Sequence, residues 1–352
     1  MSYNDYIKIN EFKSTWLWYL ALVIFLYLLP LFADDYFMYI LCMSGIYVIV
    51  SLGINLLTGF SGQISLGHAA FYAIGAYASA ILTTKVGIPF WFAVPLSGLI
   101  AAISGLMIAF PAFRMSGLYL AIATMAFGFI VEEVIINWES MTNGTNGYSV
   151  LSPSIGNFSF DSDQRYFYIV LTLTILMIFA AKNIIRSKTG RAFVAIRDSE
   201  TAARITGINL ERYKARAFGI SAFYAGIGGS LLAHYTNFIG PDNFTIVHSI
   251  VFLAMIVVGG LGSIPGSILG GVFITWIPEV IKMVADYFPS AFQQTVGLHS
   301  LIYGGIIVVF LIFEPLGLYG RWLKIKFYYE TFPYYRKETF RKQRKFYKTE
   351  KR

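Results

Sequence analysis

The apolar residues of this chain fall into about ten long runs, and a bilayer core of about 30 Å asks for roughly 20 apolar residues per crossing helix. With 57% of 352 residues hydrophobic and only 13% charged, no soluble core needs so much apolar sequence, so the chain reads as an integral membrane protein. The spans fall at residues 16–32, 37–57, 64–82, 88–110, 118–136, 166–182, 217–238, 246–261, 267–287 and 300–319. The expected fold is all-α with about ten transmembrane helices. Eight spans with two re-entrant pairs satisfy the same pattern, because the Gly-rich runs can enter and leave on one side. The first run ends in Pro30 and Leu31, where cleavage ahead of Asp34 requires a small residue, so it is read as a retained span.

Charge orients the runs. Of 27 Lys and Arg residues, nine lie in residues 182–216 and twelve in 321–352, which the positive-inside rule places in the cytoplasm. Residues 137–165 carry Glu139, Asp161 and Asp163 against Arg165, and the turn at Asp34 and Asp35 is acidic, so both face outward. Ten spans from a cytoplasmic N-terminus holding Lys8 and Lys13 satisfy all of these assignments. The chain divides into a cytoplasmic N-terminus (1–15), a transmembrane domain (16–320) with a cytoplasmic loop at 183–216, and a basic, aromatic cytoplasmic tail (321–352). That tail has twelve bases and three acids. It either lies on anionic lipid, each base contributing about 1 kcal/mol near the surface, or is a solvated topogenic segment.

The residues exclude several chemistries. A lone cysteine, Cys42, permits no intramolecular disulfide or thiolate metal site. Phosphate-cradling G-x-x-x-x-G-K-[ST], H-E-x-x-H, G-x-S-x-G and Cys/His ligand clusters do not occur. No catalytic residue and no metal site is expected, and no cofactor or nucleic acid is expected on this chain. Polar residues within the runs are few: Asn55, Gln63 and His68, then Glu132 and Glu133, His234 and Asn237, and Glu279 after Pro278. A carboxylate in lipid is costly and marks function by default, which singles out Glu279 with His68; Glu132 and Glu133 sit near a helix end, where solvation accounts for them.

Two Gly-rich stretches echo each other. "GFSGQI" (Gly59, Gly62, Gln63) and "GGLGSI" (Gly259, Gly260, Gly262) share G-x-x-G-x-I, each closing an apolar run. Glycine-broken spans in both halves suit a midplane substrate path with exposed backbone, and close helix packing needs the same residues.

A polar island, "AIRDSETAARITGINLERYKARAF", occupies residues 195–218. Asp198 or Ser199 is placed to cap a helix, Glu200 sits in its first turn where the dipole favours an anion, and Gly207 stands where a C′ residue needs positive φ. Asn209 then caps a second helix beginning near Leu210. The unit is helix, glycine turn, helix, with small Ala202 and Ala203 exposing backbone, shaped to enter a groove on another protein; a merely topogenic basic loop is the alternative.

Glu200-Thr201-Ala202-Ala203 with Gly207 four residues on resembles the E-A-A-x-x-x-G coupling signature of bacterial ABC importers. With "RSKTGRAFVAIRDSETAARITGINLERYKARAFGISAFYAGIGGSLLAHY", "FLAMIVVGGLGSIPGSILGG" and "LLTGFSGQISLGHAAFYAIGAYASA", the chain is similar to the branched-chain amino-acid permease family, in particular its LivM-type subunits. These stretches run in the family's order over roughly residues 40 to 320.

The resemblance implies an inner-membrane permease subunit of a bacterial ATP-driven importer, acting by alternating access. Its partners would be a second related permease subunit, two cytoplasmic ATPase subunits holding ATP and Mg, a periplasmic or lipid-anchored solute-binding protein, an amino-acid substrate and membrane lipid. Glu200, Ala202, Ala203 and Gly207 would form the helix that couples to the ATPase, flanked by Arg197 and Arg204. The chain departs from the family at "MTNGTNGYSV", where Asn143 and Asn146 stand in place of a T-G-G-x-D-G-like turn, and in the tail beyond residue 321. The rivals are a permease for urea or short amides, a stand-alone ion-coupled carrier using His68 and Glu279, and a membrane scaffold.

Overall fold

The structure, a computed structural model, describes residues 13–112, 115, 117–155, 158–285, 298–314 and 317–331. Among them, seven helices are long and apolar enough to cross a membrane. They are α2 (Asp35–Ile54, extended by a π-helical turn Asn55–Phe60), α4 (Phe90–Ala112), α5 (Leu118–Asn137), α6 (Asp163–Arg186), α9 (Leu210–Thr236), α10 (Ile246–Gly259, led in by the 3₁₀ turn Pro241–Phe244) and α11 (Ile264–Ala285). The remaining predicted runs are also helical but shorter: α1 (Lys13–Leu28), α3 (His68–Thr84) and α12 (Leu298–Phe313). Three helices are polar or basic: α7 (Lys188–Asp198), α8 (Glu200–Ile205) and α13 (Gly317–Thr331).

The main departure from the expected helix bounds lies at α3. A helix over 64–82 was expected, but residues 62–67 are extended or turned and α3 begins at His68. At 1.5 Å per residue its 17 residues give about 25 Å, short of a full bilayer core. Gly62, at φ +74°, follows the π-helical turn that ends α2, and residues 63–67 carry the chain from there to His68.

α9 is the axis of the bundle. Its most apolar window is 89% buried, against 28% for α5 on the periphery, and it packs on α2, α3 and α4. Small residues permit this: a Cβ on Gly226 would lie 2.6 Å from Ala101 Cβ and 3.1 Å from Gly98 Cα of α4, so the backbones meet with no side chain between them. Buried tyrosines then close polar gaps, Tyr166 donating to Leu231 O at 2.7 Å and Tyr224 to Met177 O at 2.9 Å.

The charges sort to the two ends of the bundle. Asp34, Asp35, Glu139 and Asp163 mark one end, together with two antiparallel ribbons, Tyr148–Ser149 paired with Phe238–Ile239 and Ser154–Ile155 with Phe158–Ser159. α7 and α8 mark the other. The basic tail is helical as far as residue 331, where Arg321 and Lys324 pair with Glu314; the rest of it, residues 332–352, and residues 1–12 of the N-terminus lie outside the described residues.

Candidate functional site

The polar island folds as the short helix α8, a glycine stop and the first turns of the long helix α9. Ser199, rather than Asp198, caps α8: its side chain accepts Ala202 N–H at 3.2 Å. Asn209 caps α9 by accepting Arg212 N–H at 3.0 Å. Between them Gly207 has φ +84°. Gly207 N–H donates to Arg204 O and Ile208 N–H to Ala203 O, both at 3.0 Å, the paired bonds of a Schellman stop. Its hydrophobic contact is present too, since Ile208 packs on a cluster of Ile196, Ala203 and Leu210.

That cluster corrects one expectation. Ala203 is 2% exposed and faces the knob's own interior, so only Ala202 of the alanine pair presents a small surface outward. What the sequence reading missed is Ile205, 82% exposed at the tip. Thr201, Ala202 and Ile205 stand together on the outer face of α8, spaced as neighbours on a helix. Ile205 is the one large apolar side chain of α8, and it is exposed.

Two ties fix the knob to the bundle. Glu200 carboxylate meets Lys214 Nζ at 2.7 Å, and the Lys214 side chain, in α9, is only 5% exposed. Arg197, at the end of α7, pairs with Asp198 at 3.1 Å and donates from Nη1 to Gly59 O at 3.1 Å. Its stem lies between the two Gly-rich stretches: a Cβ on Gly62 would fall 3.1 Å from Arg197 Cγ, and one on Gly262 2.9 Å from Arg197 Nη1.

The two echoed stretches therefore meet each other. Asn55 joins them, donating to Ser263 O at 2.8 Å and Ser267 Oγ at 2.6 Å while accepting Gly262 N–H at 2.9 Å. Ser51 adds a bond to Ser267 O at 3.0 Å. Gly259 and Gly270 bring α10 against α11, and Gly260 lies beside Gly317 at the head of α13. These glycines serve close backbone contact at the basic end of the bundle, beside Arg197.

His68 and Glu279 are not brought together. His68 lies at the head of α3, fully buried, with Nε2 2.9 Å from Ser221 Oγ, whose hydroxyl donates to Gly53 O at 2.6 Å. Its Nδ1, with Gln63 Oε1 and Ser65 Oγ nearby in sequence, is buried without a protein partner, so the extended segment before α3 concentrates unsatisfied polar atoms. His234 by contrast is satisfied, donating from Nδ1 to Leu151 O at 2.9 Å and accepting from Ser79 at 3.0 Å. Glu279 lies on α11 near the acidic end, held by Tyr36 and by Lys282 Nζ at 3.0 Å. It borders a cleft of about 240 Å³ lined by α2, α10, α11 and α12, with Tyr39, Met43, Tyr47, His248, Thr275 and Tyr303 among its walls. Apart from Glu279, none of those residues was singled out by the sequence reading.

Comparison with known proteins identifies the family. The family described as "Branched-chain amino acid transport system / permease component" matches residues 36–311. The LivM high-affinity branched-chain amino acid permease protein of Salmonella typhimurium is 35% identical over 300 residues, 78% of this chain and 68% of that protein. Its Escherichia coli counterpart is 35% identical over 297 residues, 78% of this chain and 67% of that protein. The LivH permease protein of Salmonella typhimurium is 27% identical over 294 residues, 78% of this chain and 91% of that protein. No solved structure matches. With a family match over most of its membrane portion and two LivM relatives above a third identical, the chain belongs to the permease family of branched-chain amino acid transport systems.

Proposed function

We propose that this chain is one of two related permease subunits that enclose a path for leucine, isoleucine or valine through a bacterial cytoplasmic membrane, powered by separate ATPase subunits docking on α8. All ten apolar runs cross in this reading, α1, α3 and α12 completing the set, which places both termini, α7, α8 and α13 in the cytoplasm. Similarity to both LivM and LivH proteins supports a pair of related subunits around one path. A solute-binding protein would deliver the amino acid at the acidic end, and ATP with Mg would be held by the ATPase pair.

The observation that carries this reading is the build of α8. It is a short, well-capped knob with Ile205 82% exposed at its tip, and it is tied to α9 by Glu200–Lys214 and to the ends of α2 and α11 through Arg197. A push on such a knob moves the bundle with it, which is what a lever between a motor and a pore requires. Glu200, Arg197 and Gly207 keep its shape, and Thr201, Ala202, Arg204 and Ile205 meet the ATPase. The segment 62–67, with Gln63 and His68, belongs to the part of the path nearest the lever, where buried polar atoms without protein partners suit water or a passing solute.

Nothing favours a stand-alone carrier: among the described residues, no hydrogen bond joins His68 to Glu279, and His68 pairs with Ser221 alone. The test is purification of the tagged chain from cells that also express the ATPase subunits. ATPase subunits should be retained by the wild type and lost with Ile205→Asp, and leucine uptake into vesicles should require internal or ATPase-side ATP. Uptake by this chain without any ATPase would overturn the reading.

A further inference from the structure

The helix after the last apolar run has no task in the transport proposed above. α13 (Gly317–Thr331) lies beyond residues 36–311, which the family matches, and it turns off the end of α12 at Gly317. That residue is buried with φ +71°. A Cβ there would lie 2.7 Å from Gly260 N and 2.8 Å from Val258 O, so glycine alone lets the chain turn this close to α10. Arg321 and Lys324 both close on Glu314, the latter at 3.9 Å, which holds the start of α13 beside the end of α12.

One face of α13 is apolar. Leu318, Trp322, Ile325 and Tyr329 recur at spacings of four, three and four residues, which puts them on one side of a helix. Leu318 packs on the core of the bundle, whereas Trp322, Ile325 and Tyr329 are 57%, 43% and 74% exposed. The stripe thus runs outward from the core at the basic end of the bundle. A helix that meets only water has no need of such a stripe. Tryptophan and tyrosine are the side chains favoured at the level of lipid headgroups, where apolar ring and polar edge both find surroundings that suit them. The charge nearby has the sign that an acidic surface attracts: Lys326 lies on the same helix, and residues 332–352 add nine bases against two acids. We infer that α13 lies on the bilayer surface, with Trp322, Ile325 and Tyr329 set among the headgroups and the positive charge of the tail matched by anionic lipid phosphate. This fastens to lipid the end of the bundle that carries α7 and α8. For the leaflet, the cytoplasmic one, the inference rests on the orientation proposed above; it does not depend on the cargo.

Cys42 is buried, so one added cysteine can carry an environment-sensitive fluorophore. Tyr329→Cys and Ile325→Cys report on the stripe, and Leu323→Cys, exposed on another side of α13, is the control. The full chain is placed in nanodiscs of phosphatidylcholine alone or with one-third phosphatidylglycerol, each holding a phosphatidylcholine spin-labelled at the headgroup as quencher. At low salt, positions 325 and 329 should be quenched strongly in the anionic discs and weakly in the neutral ones, and position 323 weakly in both. At high salt the difference should fade, as the screening length falls from about 30 Å at 0.01 M to about 3 Å at 1 M. Lys326→Gln should lower the ratio of quenched to unquenched fluorophore, resolved by lifetime, about fivefold, equivalent to about 1 kcal/mol for one base at the surface. The inference fails if 325 and 329 stay unquenched in anionic discs, if they are quenched equally in neutral ones, or if 323 is quenched as strongly as 329. Shielding of the stripe that appears only when ATPase subunits are added gives this face to that protein and overturns the inference as well. The importer reading stands apart from all of these outcomes, since it is decided by ATP-driven uptake.

Discussion

At the scale of single residues, the two ties of the knob differ in strength. Lys214 is almost wholly enclosed while its partner Glu200 is half open to water. Removing the partner of a buried charge costs about 3–5 kcal/mol in full burial; the exposure of Glu200 cuts the effect to about 1–2 kcal/mol here. Glu200→Gln should therefore lower the melting temperature of the assembly by a few degrees and leave Lys214 buried beside a neutral amide, whereas Glu200→Gln with Lys214→Met should recover most of that loss. Differential scanning fluorimetry of the two variants checks this. Arg197→Ala removes a partly exposed bond to Gly59 O and should cost only about 1 kcal/mol of stability, yet it severs the contact between α7 and both Gly-rich stretches. Its predicted signature is intact ATP hydrolysis with fewer leucine molecules moved per ATP. Proportional loss of both activities would make Arg197 a structural residue only.

At the scale of elements, α8 and its stop were legible in the sequence to within a residue, because capping and positive φ are local. Ser199, Gly207 and Asn209 announce themselves by type and spacing. What was not legible depends on rotation and on distant partners. Whether Ala203 or Ile205 faces outward is decided by packing on Ile196 and Leu210, and no spacing rule gives Lys214 to Glu200. The head of α3 was misjudged for the converse reason: its run is apolar enough for a helix, but Gly62 turns against Arg197 and the helix waits until His68. The stop itself is testable. Gly207→Ala forces a side chain into the left-handed region at about 1–2 kcal/mol, and nothing lies within 4 Å of the added Cβ, so the cost should be that strain alone. Gly207→Pro also deletes the N–H that bonds Arg204 O and fixes φ on the wrong side. Uptake should fall moderately with Ala and nearly completely with Pro, each assayed with the assembly shown to be present.

At the scale of the whole molecule, composition was enough for a mostly helical membrane bundle, since about 30 Å of hydrocarbon leaves few solutions, whereas the two short ribbons at its acidic end were not foreseen. The meeting of the two echoed glycine stretches through Asn55 was not, because it joins residues some 200 positions apart. The resulting chain has one acidic end with a small cleft and one basic end with a capped knob, and broad apolar faces on α4 and α5, such as Leu99, Ile103, Phe129 and Ile130, which the proposed function assigns to lipid or to a second permease subunit. The proposed function rests on a grip between the knob and a separate motor on the cytoplasmic side. It is tested most directly by cross-linking from Ala202→Cys, exposed on α8, against Ser140→Cys, exposed at the acidic end, in the assembled complex with buried Cys42 left in place. A short bifunctional maleimide should join position 202 to an ATPase subunit and leave position 140 unjoined to it. An ATPase cross-link from 140, or a transporting complex in which 202 reacts with an impermeant reagent applied from outside, would contradict it.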